Sequence, residues 1–224
     1  MNILKLEHVS YKYKDSKEND YVFKDINYSF ELGKVYAIKG KSGSGKTTLL
    51  SLISGLETDY EGNIFYDNKD LKKVDLDKYR SKDIGIIFQS YNLLPHLTAS
   101  ENIILSMDIS GIKVDDKKNL AKELMKSVGL SETYAQRKVL KLSGGEQQRV
   151  AIARSLSYNP KIILADEPTG NLDKDTENDI LKIFKELAKK DNKCIIIVTH
   201  SENVCNQVDE VFELKKKETK RGSK

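Results

Sequence analysis

The chain has no tryptophan, three prolines and two cysteines in 224 residues. So little proline excludes a collagenous or proline-rich linker protein. The cysteines, Cys194 and Cys205, lack the spacing of a zinc site and are too few for a disulfide scaffold. Cys194 opens the apolar run to Val198, where a thiol acts as a small hydrophobe, and a reducing cytosol is the simplest setting. No apolar run approaches the roughly 20 residues of a bilayer crossing, and Met1 to Ser10 lacks the apolar core of a signal peptide. Charge of one sign is also scarce: 38 basic against 34 acidic residues leave +4. The basic residues are interspersed with acidic ones except at the carboxy terminus, so no cationic face for nucleic acid is expected. Hydrophobic residues at 38 % and charged residues at 32 % describe a globular chain. At this length about 70 to 75 % of the unfolded surface can be buried.

Five short apolar runs read as strands: Val35 to Ile38, Ile84 to Phe88, Ile162 to Ala165, Ile195 to Val198 and Val211 to Leu214. They are rich in β-branched residues and do not alternate strictly, which predicts burial on both faces of a parallel sheet. Helical spacing predicts helices over Lys117 to Val128, with Leu120, Leu124 and Val128 in one stripe before Gly129, and over Asp175 to Lys190 with Ile180, Ile183, Phe184 and Leu187. Short alternating stretches predict an antiparallel unit from residues 1–32 and 62–70, broken by the polar loop Lys14 to Asp20, with the segment Gly62 to Asp67, followed by Asn68, joining it as a hairpin element. Residues 92–140 read as a helical lobe inserted into the core. The expected fold is α/β: a phosphate-loop core with a mainly parallel sheet, an antiparallel β-subdomain and an inserted α-helical subdomain. Residues 215–224 form a basic tail.

After the strand at Val35 comes Gly-Lys-Ser-Gly-Ser-Gly-Lys-Thr, Gly40 to Thr47, then an apolar helix predicted over Thr48 to Ile53. This is the complete G-x-x-x-x-G-K-[ST] pattern in strand, loop, helix context. Gly40, Gly43 and Gly45 allow the backbone to wrap, so that successive N–H groups and the helix start face a polyphosphate. Lys46 offers an ammonium to the β and γ phosphates, and Thr47 a hydroxyl to Mg2+. The strand at Ile162 delivers Asp166 and Glu167 at its carboxyl end, where open α/β sheets place ligands. Asp166 suits the magnesium ion through water, and Glu167 suits polarisation of an attacking water. A third element, Leu-Ser-Gly-Gly-Glu-Gln-Gln-Arg from Leu142 to Arg149, puts the donors of Ser143, Gly144 and Gly145 where a helix begins, a second anion-binding terminus in one chain. Two such clamps grip one γ-phosphate if two copies of the chain face each other.

Together these motifs resemble the nucleotide-binding ATPase subunit of ATP-binding cassette (ABC) transporters, over about Ile3 to Leu214. The resemblance implies further roles: Gln89 as the glutamine that contacts magnesium and water, Asn171-Leu172-Asp173 as the loop running between subunits, His200 as the switch histidine near the γ-phosphate, and Ser42 and Thr48 as part of the phosphate site. It also implies an adenine-stacking aromatic at Tyr13, with Tyr11 as the competitor. Phe88 to Ile103 and Glu167 to Asp173 are similar to the group of the macrolide exporter MacB, the lipoprotein-releasing ATPase LolD and the bacitracin-type peptide-resistance transporters. That implies a homodimer at the cytoplasmic face of the membrane, closing on two Mg-ATP molecules beneath a separate permease that exports or extracts its cargo. A regulatory ATPase resembling FtsE, which signals across the membrane without transport, is the alternative. Leu93, Leu94 and Leu97 suit either a permease-docking surface or packing inside the lobe. Glu146 stands where glutamine is common, a departure expected not to touch the Ser143 and Gly145 donors.

Overall fold

The computed structural model describes residues 2–15 and 20–215; the basic-tail reading therefore lies outside the described residues except at Lys215, as does the middle of the polar loop. Five strands form an entirely parallel sheet in the order β6-β7-β8-β3-β9: β3 (Val35–Lys39), β6 (Ile84–Ile87), β7 (Ile162–Asp166), β8 (Cys194–Thr199) and β9 (Glu210–Glu213). All residues of the central β8 are buried, because successive side chains enter two different cores. Ile163, Ala165, Ile195 and Ile197 join one cluster, and Ile162, Leu164, Ile196 and Val198 the other. This two-sided burial is why the strands lack a polar face in the sequence.

A second sheet, in the order β2-β1-β4-β5, is antiparallel: β1 (Asn2–Tyr11), β2 (Phe23–Glu31), β4 (Glu61–Tyr66) and β5 (Lys69–Asp70). Its inner face, with Leu4, Leu6, Phe30 and Ile64, packs in the cluster that also holds helix α1 (Lys46–Ile53). Asp67 and Asn68 both have positive φ, 47° and 60°, the pair of conformations a two-residue hairpin of the right twist requires. After the single turn α2 (Leu76–Lys78) and a π-helical turn, Tyr79–Asp83, the chain enters β6.

The opposite face of the parallel sheet is covered by α6 (Lys174–Asp191), through Ile180, Leu181, Phe184, Leu187 and Ala188, and by the helical region. There α3 (Ala99–Ser110) and α4 (Lys117–Ser127) both pack against α5 (Gly144–Leu156). Within α4 the fully buried residues are Ala121 and Met125, followed by Val128 at the helix end, while Leu120 and Leu124 flank them partly buried. The predicted stripe is thus rotated by about one residue, toward the small Ala121 and the adaptable Met125, which are fully buried. A last turn, α7 (Glu202–Cys205), follows β8.

Candidate functional site

Parallel register brings four strand ends to one edge: Lys39 pairs with Thr199, Asp166 with Val198 and Ile87 with Ala165. The segments leaving those ends therefore converge, and they carry the phosphate loop, Glu167, His200 and Gln89. They line one cavity of about 740 Å³ together with Tyr13, Asp20, Tyr21, Val22 and the loop residues Ser42, Gly43 and Gly45 to Thr48.

The loop turns through left-handed Gly43 (φ 73°) and Gly45 (φ 92°). Gly45 is the N-cap of α1, so the helix begins at Lys46, two residues before the predicted Thr48. Lys46 and Thr47 thus sit on the first helical turn, beside its unpaired N–H groups. Gly40 closes the base of the loop, where a Cβ would fall 2.4 Å from Ser44 Oγ and 2.8 Å from the Leu214 carbonyl. The Lys46 ammonium spans the loop mouth, donating to the Gly40 carbonyl at 2.9 Å and lying 3.9 Å from Glu167 Oε1.

Thr47 Oγ1 donates to Asp166 Oδ2 at 2.9 Å. Burial pushes the Asp166 carboxyl above its ordinary range; the Thr47 bond opposes this, the Glu167 charge adds to it and Lys46 subtracts. Glu167 occupies a left-handed conformation (φ 45°), its N–H bonded to the Val198 carbonyl at 2.9 Å. Its carboxylate accepts from His200 Nδ1 at 2.8 Å and from Thr199 Oγ1 at 3.2 Å. Thr199 is a partner that motif spacing did not single out, although it ends a strand already recognised. Gln89 reaches the cavity beside Gly170, where a Cβ would stand 3.3 Å from its Nε2.

The two tyrosines separate. Tyr11 ends β1 opposite Phe23 and is 7 % exposed, whereas Tyr13 is 55 % exposed, lines the cavity and hydrogen-bonds through its hydroxyl to Thr48 Oγ1 at 3.3 Å. Val22, which sequence reasoning missed, backs Gly45 and is bonded through its N–H to the Tyr11 carbonyl. The antiparallel pairing of Tyr11 with Phe23 was the available signal, since it brings the two ends of the polar loop together.

Ser143, Gly144, Gly145 and Asp173 do not line that cavity. They form a second group at the starts of α5 and α6. A Cβ on Gly145 would lie 2.8 Å from Thr176 Cγ2, and Asp173 caps α6 by accepting from Thr176 N–H at 3.0 Å and Thr176 Oγ1 at 2.9 Å, bonds that hold its carboxyl below the ordinary range. Ser143 caps α5, accepting from Glu146 N–H at 3.3 Å, and its own N–H donates to Glu146 Oε2 at 2.7 Å. This corrects the expectation for Glu146: its carboxylate completes a capping box with Ser143, and that bond lowers its pKa.

A glycine loop wrapped before a helix, a lysine at its mouth and a threonine–aspartate pair beneath define a P-loop nucleoside-triphosphate-binding protein. Residues 23–170 match the family model described as ABC transporter. The chain is 46 % identical over 209 residues, 93 % of it and 92 % of the relative, to the uncharacterized ABC transporter ATP-binding protein YclH of Bacillus subtilis. It is 40 % identical over 219 residues, 95 % of it and 93 % of the relative, to the lipoprotein-releasing system ATP-binding protein LolD of Francisella tularensis. The dimeric structure of MJ0796, an ABC transporter cassette of Methanocaldococcus jannaschii, superposes with a TM-score of 0.85 at 40 % identity, covering 95 % of this chain and 94 % of that one. MJ0796 has also been solved in a post-hydrolysis state bound to ADP and Pi. The chain belongs to the ABC transporter family, as an ATP-binding ATPase subunit.

Proposed function

We propose that this chain hydrolyses ATP as a homodimer that drives a separate membrane permease, exporting or extracting a peptide, lipoprotein or drug-like molecule. The observation that carries the proposal is the division of its site residues into two groups. Lys46, Thr47, Asp166, Glu167, Gln89 and His200 surround one cavity, while Ser143 to Gly145 and Asp173 lie apart from it. A second copy, turned to present its Ser143 to Gly145, completes the cavity. The dimeric MJ0796 cassette supports this pairing, and the likeness to LolD supports the cargo class.

In the closed pair Tyr13 stacks on adenine, the N–H groups of Gly43 to Thr47 and the Lys46 ammonium hold the phosphates, and the partner's α5 terminus donates to the γ-phosphate from the other side. Glu167 orients and polarises the attacking water. His200, with its Nδ1 proton on Glu167 Oε1, fixes that carboxylate and leaves its other ring nitrogen free to face the γ-phosphate. Thr47 Oγ1, Asp166 Oδ2 and the Gln89 amide are hard oxygen donors and fit Mg2+, which supplies charge neutralisation on the β and γ oxygens when bound. No group of 3 or more His, Cys, Asp or Glu among the described residues could hold a metal alone, in keeping with an ion that shares its ligands with phosphates.

No helix among the described residues is long and apolar enough to cross a membrane. The chain works peripherally, at the cytoplasmic face, through the permease. Leu94, exposed, suits that docking, whereas Leu93 packs into the core.

Glu167→Gln tests the scheme. It keeps the His200 and Thr199 contacts but removes the carboxylate charge, so turnover falls by about 10² to 10⁴. With saturating ATP the variant elutes as a dimer by light scattering; a monomer overturns the proposal. ATPase stimulation by cargo in permease-containing liposomes separates transport from signalling alone.

A further inference from the structure

The ladder of β1 stops at Tyr11, whose carbonyl accepts from Val22 N–H at 2.8 Å. Tyr13 lies two residues further on, in irregular backbone. Strand register therefore does not set the direction of its ring, and side-chain contacts must. One is the hydroxyl contact with Thr48 Oγ1. Another is with Tyr11: the two rings stand at 85° with their centroids 5.4 Å apart, within the range of an edge-on aromatic pair. More than half of Tyr13 stays exposed in these contacts, so they hold the ring without covering it.

Tyr11 itself is fixed. It is buried, its ring centroid lies 6.2 Å from that of Phe23, and its hydroxyl donates to Glu57 Oε2 at 3.5 Å. Glu57 accepts in turn from Thr58 N–H at 2.8 Å and Asp59 N–H at 2.9 Å, which holds the carboxylate within its own turn. Burial, followed by the Glu57 charge, raises the Tyr11 pKa and keeps the hydroxyl a neutral donor. Phe23 is also the residue that backs Gly45 of the phosphate loop, where a Cβ would stand 3.0 Å from Phe23 Cδ1. The Tyr13 end and the phosphate end of the cavity thus lean on one buried aromatic group.

We propose that Tyr11 is a positioning residue for nucleotide binding: its ring fixes the plane of Tyr13, so that the platform for the base is set before the nucleotide arrives. This rests on the reading above in which Tyr13 stacks on adenine. Tyr11 does not line the cavity and acts only through its neighbour. A ring already held in place loses less freedom when a base lands on it, and the difference appears as affinity for ligands that carry a base.

The test uses the full chain and two ligands, Mg-ADP and Mg-tripolyphosphate, the second having phosphates but neither base nor sugar. Both are read by displacement of a fluorescent ADP analogue. Tyr11→Leu, which keeps a buried apolar group but loses the ring, weakens Mg-ADP by about threefold to tenfold, the range of one aromatic pair. Tripolyphosphate affinity stays within about twofold of the parent, and so does the Mg-ADP affinity of Tyr11→Phe, which keeps the ring. In a Tyr13→Ala background Tyr11→Leu has no further effect. A loss shared equally by tripolyphosphate marks a structural role through Phe23 and Gly45 and overturns the proposal. So does a loss that persists without Tyr13, or one that Tyr11→Phe reproduces in full. The parent chain gives a second measurement that needs no variant: a nuclear Overhauser contact between the Tyr11 and Tyr13 rings persists when Mg-ADP is bound, and its disappearance refutes the positioning role. Tyr13→Ala binding Mg-ADP as the parent does sinks the stacking reading itself, whereas a loss there with none in Tyr11→Leu sinks only the role of Tyr11.

Discussion

Replacing Gly45 by alanine tests the physical account of the phosphate loop. The residue sits at φ 92° and ψ 16°, and its ideal Cβ would stand 2.4 Å from Val22 Cγ1 and 3.0 Å from Phe23 Cδ1. An L residue forced into left-handed backbone costs about 1–2 kcal/mol. Overlap with Val22 and with Phe23, which is buried at the start of β2, adds about 1–3 kcal/mol. Against this, alanine narrows the unfolded ensemble and returns about 0.5–1 kcal/mol. The net expectation for Gly45→Ala is a destabilisation of about 2–4 kcal/mol, a large share of the roughly 5–15 kcal/mol a domain has. Urea unfolding without nucleotide measures it as a lower midpoint at unchanged slope. Adding Val22→Ala removes the closest overlap but not the backbone cost, so the double variant recovers only part of the loss. A Gly45→Ala protein within about 1 kcal/mol of the parent would mean the loop yields without strain, and the argument from its geometry would fail.

Three further substitutions separate stability from binding. Asp166→Asn abolishes hydrolysis yet leaves the chain at least as stable near neutral pH, since it removes a carboxylate whose pKa burial raises. For a raised acid, the favourable contribution is full below the unfolded carboxylate pKa and is lost as pH rises through the folded value. The parent must therefore gain on Asp166→Asn as pH falls, and urea titrations showing it gain as pH rises refute the assignment. Tyr13→Ala weakens ATP binding by about 1–3 kcal/mol with little change in melting temperature, whereas Tyr11→Ala lowers stability by about 3–5 kcal/mol; calorimetry giving the reverse pattern would exchange their roles.

What the sequence discloses about this chain follows from how local each feature is. The parallel strands and the loop Gly40 to Thr47 are continuous stretches whose chemistry is written in adjacent residues, and both are found where spacing places them. The start of α1 is misjudged because Lys46 and Thr47 carry loop chemistry on helical backbone, a fact expressed only in the φ of Gly45. Tyr11 and Tyr13 share a face by alternation, so period alone does not rank them. What does is the end of β1 at Tyr11, set by its pairing with Phe23 across the polar loop. Glu146 is a different case. Its spacing of three from Ser143 is a capping-box signature, but the glycines between them drew attention to anion binding instead.

The same distinction bears on why one copy is insufficient. Ser143 and Glu167 are near neighbours in sequence, yet α5 and β7 intervene and carry Ser143 away from the carboxyl edge of the sheet where Glu167 emerges. Parallel register brings the residues that follow β3, β6, β7 and β8 to one cavity. Nothing in that register brings in the start of α5, which is instead pinned to α6 by the contact of Gly145 with Thr176. The two groups of residues are thus held at separate places within one subunit. On the proposed reading, this makes nucleotide binding and subunit closure a single event: a phosphate bound by Lys46 on one side can gain its second set of donors only by bringing in another chain.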